Sequence, residues 1–192
     1  LKFMSEKDFV QKYLEDFSVL VKPNEDITGK IIKVKNILVE TNKKNKKTMI
    51  FGNGGSAAIA SHFSVDLTKN ARVRCFNFNE SDLITCFSND YGYEKWVEKA
   101  VNFYGDKGDA LILISASGKS KNMIYGCEAA RTKKFSNIIT FTGNDENNPL
   151  AKIGDVNFWI NSKAYNFIEN IHQIWLLSIV DLIIGRREYP PN

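Results

Sequence analysis

The chain has 192 residues, of which 43% are hydrophobic and 25% charged, and its formal net charge is +4. This length and composition are typical of one soluble globular domain with a substantial core. No segment approaches the roughly 20 uninterrupted apolar residues of a membrane span, and residues 1–6 are too short and too quickly charged for a signal peptide. We therefore expect a cytoplasmic protein without a membrane partner.

The cysteines and the basic residues argue against two further classes of function. Cys75, Cys86 and Cys127 are odd in number and widely spaced, which does not suit a disulfide framework or a thiolate zinc site. The basic residues are dispersed apart from the run 43–47, which lacks the aromatic or arginine interleaving of a nucleic-acid patch. We interpret this run as a solvated loop and expect no nucleic-acid partner.

Two amphipathic helices are predicted before the first strand. Residues 5–8 resemble a capping box, and apolar residues follow at helical spacing until Pro23 ends the helix. A second apolar stripe runs from Ile27 to Leu38, with lysines on the opposite face. These two helices can pack on the rest of the domain or on another subunit.

Strands and helices alternate through the remainder of the chain. The predicted strands cover residues 48–51, 73–78, 110–114, 137–141 and 156–160. Helices are predicted between them, including one over 81–87 that is interrupted at 89–92, and a long last helix covers about 164–184 with Gly185 after its end. The alternation predicts the α/β class, with a mainly parallel five-stranded sheet and right-handed crossovers.

A glycine loop, Gly52-Asn53-Gly54-Gly55-Ser56, follows the first of these strands. Glycines let backbone N–H groups approach a ligand, and a helix capped by Ser56 would add its own N-terminal N–H groups and dipole, which together favour a phosphate. The loop also formally fits a dinucleotide fingerprint, although the acidic residue expected after the second strand is at best Glu80. A P-loop is excluded because no Gly-Lys-Ser/Thr ends the glycine run.

A second loop, Ser115-Ala116-Ser117-Gly118-Lys119-Ser120, follows the apolar strand 110–114. Hydroxyls and backbone N–H groups between a strand and a helix form a cradle suited to a phosphate monoester. The alternative is an ordinary serine-rich loop in which Ser120 caps the helix. Both loops are expected at the carboxyl ends of strands, where open α/β sheets bind ligands.

These two loops, together with His62-Phe63 and Asn89-Asp90-Tyr91-Gly92, resemble the sugar isomerase (SIS) domain family, and more narrowly its phosphoheptose isomerases. The resemblance implies one SIS domain over 1–192, with a helical pair at 1–45 and an α/β core at 46–192. It also implies a homotetramer with sites between subunits and a sugar phosphate as ligand. The implied substrate-binding residues are Asn53, Gly54, Gly55, Ser56, Asn89, Asp90, Ser115, Ala116, Ser117 and Ser120, with the three serines of the second loop on the phosphate.

Aldose–ketose isomerisation needs a base to move a proton and an acid or a metal to stabilise the enediolate. The family places a His and a Glu one helical turn apart after the glycine loop, and His62 and Asp66 stand there at i and i+4. This spacing suits metal ligation or a base with its orienting partner, whereas the alternative is a helix-surface His–Asp pair.

The last predicted helix departs from the family pattern. The resemblance places Glu169 where the family has a Gln and Leu177 where it has a His, and Leu177 can neither ligate zinc nor transfer a proton. The catalytic candidates are therefore Asp66, Glu169 and His62. The same three residues are the candidate zinc ligands, although no cofactor is firmly indicated, and His172 is interpreted as a core or interface histidine.

Three hypotheses follow from these observations. The leading one is a phosphosugar isomerase that resembles sedoheptulose 7-phosphate isomerase, with Asp66 or Glu169 as the base. The second, motivated by Leu177 and Asp66, is a non-catalytic SIS module that binds a sugar phosphate or a protein partner. The third is a dinucleotide-binding enzyme, which leaves the serine loop without a role.

Overall fold

Five parallel strands form the centre of the fold in a computed structural model that describes residues 4–190. The helices are α1 Glu6–Leu20, α2 Glu25–Lys43, α3 Gly55–Lys69, α4 Ser81–Tyr91, α5 Trp96–Tyr104, α6 Lys121–Thr132, α7 Pro149–Ile153 and α8 Tyr165–Ile184. The strands are β1 Thr48–Gly52, β2 Cys75–Asn77, β3 Ala110–Ser115, β4 Asn137–Thr142 and β5 Val156–Trp159. The predicted α/β class, the five-stranded parallel sheet and the long last helix are confirmed.

The order of the strands, β2-β1-β3-β4-β5, places the two loop-bearing strands side by side. β1 pairs with β3 in parallel from Thr48 opposite Ala110 to Gly52 opposite Ile114. Every residue of both strands is buried, as expected for a sheet covered on both faces. The connections leave β1 and β3 toward opposite edges of the sheet, and such a switch point opens a crevice at the carboxyl ends of the two strands.

Helices cover both faces of the sheet. One hydrophobic cluster joins the sheet to α2, α3 and α8, and the other joins it to α5 and α6. By length and composition α8 is the one helix within residues 4–190 that could cross a membrane. One face of this helix is part of the core, where Ile168, Ile171, Leu176 and Ile179 are completely buried.

The first helix is the least integrated element of the described chain. The Ser5 side chain accepts a hydrogen bond from the Asp8 N–H, as the capping-box pattern predicts. None of the residues of α1 is buried. Its contacts with the core include Tyr13 and Phe17, whose rings pack edge-on against Phe167 of α8.

Three local predictions are wrong. Ser56 does not cap α3, because the helix already begins at Gly55 and its N-cap is Gly54, with a φ of 55°. α4 continues through 89–91 instead of ending before them, and Gly92 ends it with a φ of 87°. β2 is shorter than the predicted strand over 73–78, since only Cys75–Asn77 pair with β1.

A buried carboxylate fixes the amino ends of the two central strands. Asp109, which is completely buried, accepts hydrogen bonds from the N–H groups of Lys47 (3.1 Å) and Asp106 (2.8 Å). The Lys47 Nζ lies 2.7 Å from both the Asp109 and the exposed Asp106 carboxylates. Asp109 therefore joins the segment entering β1 to the segment entering β3.

We expect Asp109→Ala to lower the free energy of unfolding by about 2–4 kcal/mol, because two backbone donors and an ammonium group lose a buried acceptor. The matched control is Asp106→Ala, which removes an exposed partner of the same lysine and is expected to cost at most about 1 kcal/mol. Urea unfolding followed by circular dichroism measures both. Equal losses in the two variants would contradict this role for Asp109.

Candidate active site

A cleft of about 170 Å³ opens between the carboxyl ends of β1 and β3. It is the point where the glycine loop, the serine loop and the start of α8 meet. Its walls are formed by Asn53, Ser56, Ile114, Ser115, Ala116, Ser117, Ser120, Tyr165 and Glu169. Six of the predicted substrate-binding residues and one predicted catalytic residue thus line a single cleft.

Glu169 enters this cleft because the glycine loop leaves it room. A Cβ added to Gly55 would overlap the carboxyl group of Glu169, so the side chain lies directly against the backbone at the first residue of α3. The N-terminus of a helix carries partial positive charge and stabilises a carboxylate there. Any larger residue at position 55 would therefore displace the Glu169 carboxylate from this place.

The serine loop presents hydroxyls and helix N–H groups to the same cleft. The Ser115 hydroxyl donates to the Ser120 hydroxyl (3.2 Å), and Ser117 Oγ accepts the Lys119 N–H (3.2 Å). Ser120 is the N-cap of α6, yet its side chain makes no capping hydrogen bond, and the first intrahelical bond is donated by Met123, so the Lys121 and Asn122 N–H groups before it remain available to an anion. Gly118 makes the turn with a φ of 64°, and a Cβ there would overlap the Asn148 side chain.

Two further polar side chains hold Asn53 at the wall of the cleft. Asn53 and the buried Asn122 exchange amide hydrogen bonds of 3.1 and 2.8 Å, and the Tyr93 hydroxyl donates to Asn53 Oδ1 (3.0 Å). Asn122 and Tyr93 are absent from the predicted site. The sequence position of Asn122 could have identified it, because it stands two residues after Ser120, in the first turn of the helix that follows the serine loop.

His62 and Asp66 form the predicted pair on α3, but they do not line the cleft within one chain. His62 Nε2 lies 3.3 Å from Asp66 Oδ2, and its Nδ1 lies 3.0 Å from Nε2 of Gln173 on α8. Asp66 Oδ1 also accepts a 3.3 Å hydrogen bond from Asn70 Nδ2. His62 therefore links α3 to α8 through its hydrogen bond with Gln173 and lies within ion-pair distance of Asp66 on its own helix.

The predicted three-ligand metal set is not assembled within the described part of one chain. No group of three His, Cys, Asp or Glu side chains in residues 4–190 is placed to hold a metal ion. Glu169 lies at Gly55, seven residues and about 10 Å along α3 from His62, and both ring nitrogens of His62 already have partners. This donor set does not fit zinc as it stands, so no chemical step is assigned to a metal here.

The remaining predicted residues lie outside the cleft. Asn89 and Asp90 are exposed near the end of α4, where the Asn89 amide donates to the Asp90 carboxylate (2.9 Å). His172 is completely buried and its Nε2 lies 3.1 Å from the Thr142 carbonyl oxygen, a core position that matches its interpretation. Burial lowers the pKa of His172 to about 4, which keeps it neutral at physiological pH.

The class of protein follows from a comparison with family models. The SIS domain model matches residues 12–143, and the chain belongs to this family. The resemblance inferred from the two loops is thereby confirmed.

Relatives that match nearly the whole chain are phosphoheptose isomerases, one group within this family. The phosphoheptose isomerase of Aliarcobacter butzleri is 30% identical over 180 residues, covering 91% of this chain and 94% of its own length. That of Fusobacterium nucleatum is 31% identical over 192 residues, covering 96% and 97%. In fold, the chain is similar to the solved phosphoheptose isomerase of Neisseria gonorrhoeae, with a TM-score of 0.86, 24% identity and coverage of 94% and 100%.

We expect Gly55→Ala to reduce isomerase activity about a hundredfold while the protein stays folded, because the new methyl group displaces the flexible Glu169 side chain from the cleft. The control is Gly29→Ala in α2, where a Cβ meets no atom within 4 Å, and which is expected to leave activity unchanged and to add up to about 1 kcal/mol of stability. Steady-state kinetics and thermal unfolding measure the two effects. Full activity in folded Gly55→Ala would contradict the assigned contact.

Proposed function

We propose that this protein is an aldose–ketose isomerase that converts sedoheptulose 7-phosphate to D-glycero-D-manno-heptose 7-phosphate in the cytoplasm. The observation that carries the proposal is the position of the Glu169 carboxylate, which shares one cleft with the hydroxyls of the serine loop. The relatives that match nearly the whole chain are phosphoheptose isomerases, which supports this substrate class.

The serine loop is the proposed phosphate anchor. Ser115, Ser117 and Ser120 offer hydroxyls, and α6 adds uncapped N–H groups and the positive end of its dipole. The phosphate is attached to C7, at the opposite end of the sugar from the reacting carbons C1 and C2, and the hydroxyls between them would lie along the glycine loop and the Asn53 amide. Binding energy at the phosphate can thereby position carbons C1 and C2 for reaction.

Glu169 is the proposed base. Its carboxylate removes one proton from C1 of the ketose, and the electrons form the C1–C2 double bond of an enediolate whose charge lies on O2. The proton held by Glu169 returns to C2, and the O1 hydroxyl proton is transferred to O2. This produces the C1 aldehyde with no net change in atoms or electrons. Asp66 is less suited to the task, because it lies outside this cleft and its carboxylate already accepts a hydrogen bond from Asn70 and lies 3.3 Å from the His62 ring.

The N-terminus of α3 is the proposed site of enediolate stabilisation. Its first intrahelical hydrogen bonds run from the Ala57 and Ala58 N–H groups to the Gly54 carbonyl oxygen. The N–H groups of Gly55 and Ser56 come before that first bond, and no side chain caps the helix. Donors fixed in advance at a developing oxyanion stabilise the transition state without reorganisation.

We expect Glu169→Gln to reduce kcat for sedoheptulose 7-phosphate by about 10³-fold with little change in KM, since an amide keeps the shape but cannot accept a proton. Asp66→Asn is the matched variant, expected to lower kcat far less. Conversion is measured with the purified full chain, with and without added zinc.

One outcome would contradict the assignment of the base, and another would contradict the function itself. A larger loss in Asp66→Asn than in Glu169→Gln would assign the base to α3. Sugar phosphate binding by calorimetry without turnover under any condition would instead favour a non-catalytic SIS module, which the apolar Leu177 at a family His position also suggests.

We also propose that the protein acts as a homotetramer whose sites are completed by neighbouring subunits. Phe9, Val10 and Leu14 of α1 are each more than half exposed, an unusual apolar surface for a helix of an isolated chain. Asn89 and Asp90 lie outside the cleft of their own chain and could contact the sugar of a neighbour.

We expect sedimentation velocity to give the mass of four 21.8 kDa chains, and Leu14→Glu to lower it, because a charge replaces an apolar contact. Lys12→Glu, which changes a polar residue on the same helix, serves as the control. A monomeric wild-type protein that is fully active would contradict the proposed assembly.

A further inference from the structure

We propose that Tyr93 is a positioning residue that, together with Asn122, holds the Asn53 amide at the wall of the cleft. This role deepens the proposed isomerase and rests on it for the identity of the ligand that Asn53 meets. The hydrogen bonds themselves can be tested on the protein without a ligand. The three side chains come from three separate segments of the chain: the glycine loop, the segment after α4 and the first turn of α6.

Asn53 receives hydrogen bonds from two different elements. Its amide exchanges bonds of 3.1 and 2.8 Å with the amide of Asn122, which is only 2% exposed. The Tyr93 hydroxyl lies 3.0 Å from Asn53 Oδ1 and comes from a short 3₁₀-helix, Tyr93–Lys95, that follows α4. Because a phenol hydroxyl can donate or accept, this bond forms whichever way the Asn53 amide is turned. The three bonds together leave the Asn53 side chain little freedom.

A backbone N–H group determines the direction of both amides. Asn122 Oδ1 accepts a hydrogen bond of 3.1 Å from the Met123 N–H, so Asn122 Nδ2 is the group that donates to Asn53 Oδ1. Turning both amides over together would put Asn122 Nδ2, itself a donor, against that N–H. Asn53 Oδ1 thus accepts from Asn122 and from Tyr93, and one Nδ2 hydrogen of Asn53 has no hydrogen-bond partner within residues 4–190. Asn53, which lines the cleft, therefore offers it a donor, which suits a sugar hydroxyl or carbonyl oxygen.

The place of Tyr93 depends on the turn that ends α4 and on the start of α6. Gly92 ends α4 with a φ of 87°, and its carbonyl oxygen accepts the Lys95 N–H (2.9 Å). Glu94 Oε2 lies 3.1 Å from Nζ of Lys121, the first residue of α6. The same turn thus brings one residue to the glycine loop and the next to the helix that follows the serine loop. Because Tyr93 is 56% exposed, removing its hydroxyl leaves the core of the protein intact.

The ligand-free test follows the side-chain amide of Asn53 by nuclear magnetic resonance. In the ¹⁵N-labelled full chain its signals are identified by their absence from Asn53→Ala. We expect Tyr93→Phe, which removes only the hydroxyl, to shift these signals and to speed their exchange with solvent about threefold. Tyr104→Phe is the matched control, because it removes a tyrosine hydroxyl on α5 that takes no part in this cluster, and it should leave the signals unchanged. Asn53 signals that are identical in the wild type and in Tyr93→Phe would overturn the proposal.

The effect on the ligand is measured by calorimetry with sedoheptulose 7-phosphate, in a full chain whose Glu169→Gln substitution prevents turnover. We expect Tyr93→Phe to weaken binding about fivefold, the size of one lost hydrogen bond, and to have no further effect once Asn53 is replaced by alanine. An equal loss with and without the Asn53 side chain is the result of a merely structural role and would overturn positioning through Asn53. A wild-type chain that does not bind this sugar phosphate would count against the proposed function instead, while the Asn53 amide signals still decide the role of Tyr93.

Discussion

The contact between Glu169 and the backbone of Gly55 is the constraint on which the site depends. It exists because position 55 has no Cβ, and because α8 packs along α3 over the same face of the sheet. The carboxylate is thereby brought beside the N-terminus of one helix and opposite the serine cradle at the start of another. The Glu169 carboxylate and the serine cradle can meet within one chain because α3 and α6 begin at the ends of two adjacent strands, β1 and β3.

The sheet topology supplies that adjacency. β1 and β3 are neighbours in register, so the loops that follow them leave the same edge only one strand spacing apart. The completely buried Asp109 ties the opposite ends of these strands together. Family membership is consistent with this plan, since the SIS domain model spans the sheet from before β1 to the end of β4.

Much of the fold and of the phosphate cradle could be predicted from the sequence. Continuous apolar runs such as 110–114, each ending in a glycine or serine loop, identify buried parallel strands and the edge where ligands bind. The contacts of Gly55 with Glu169 and of Gln173 with His62 could not be predicted, because each joins segments that are distant in the sequence. The continuation of α4 through 89–91 was missed for a local reason, since Asn and Asp favour turns, whereas here they occupy the exposed last turn of the helix and Gly92 ends it.

The most direct measurement of the central claim is a crystal structure of the Glu169→Gln variant with sedoheptulose 7-phosphate bound. The account predicts the phosphate within hydrogen-bond distance of the Ser115, Ser117 and Ser120 hydroxyls. It also predicts C1 and C2 of the sugar beside the side chain of residue 169 and the start of α3. A sugar phosphate bound elsewhere, or bound in the cleft with its reacting carbons turned away from residue 169, would contradict it.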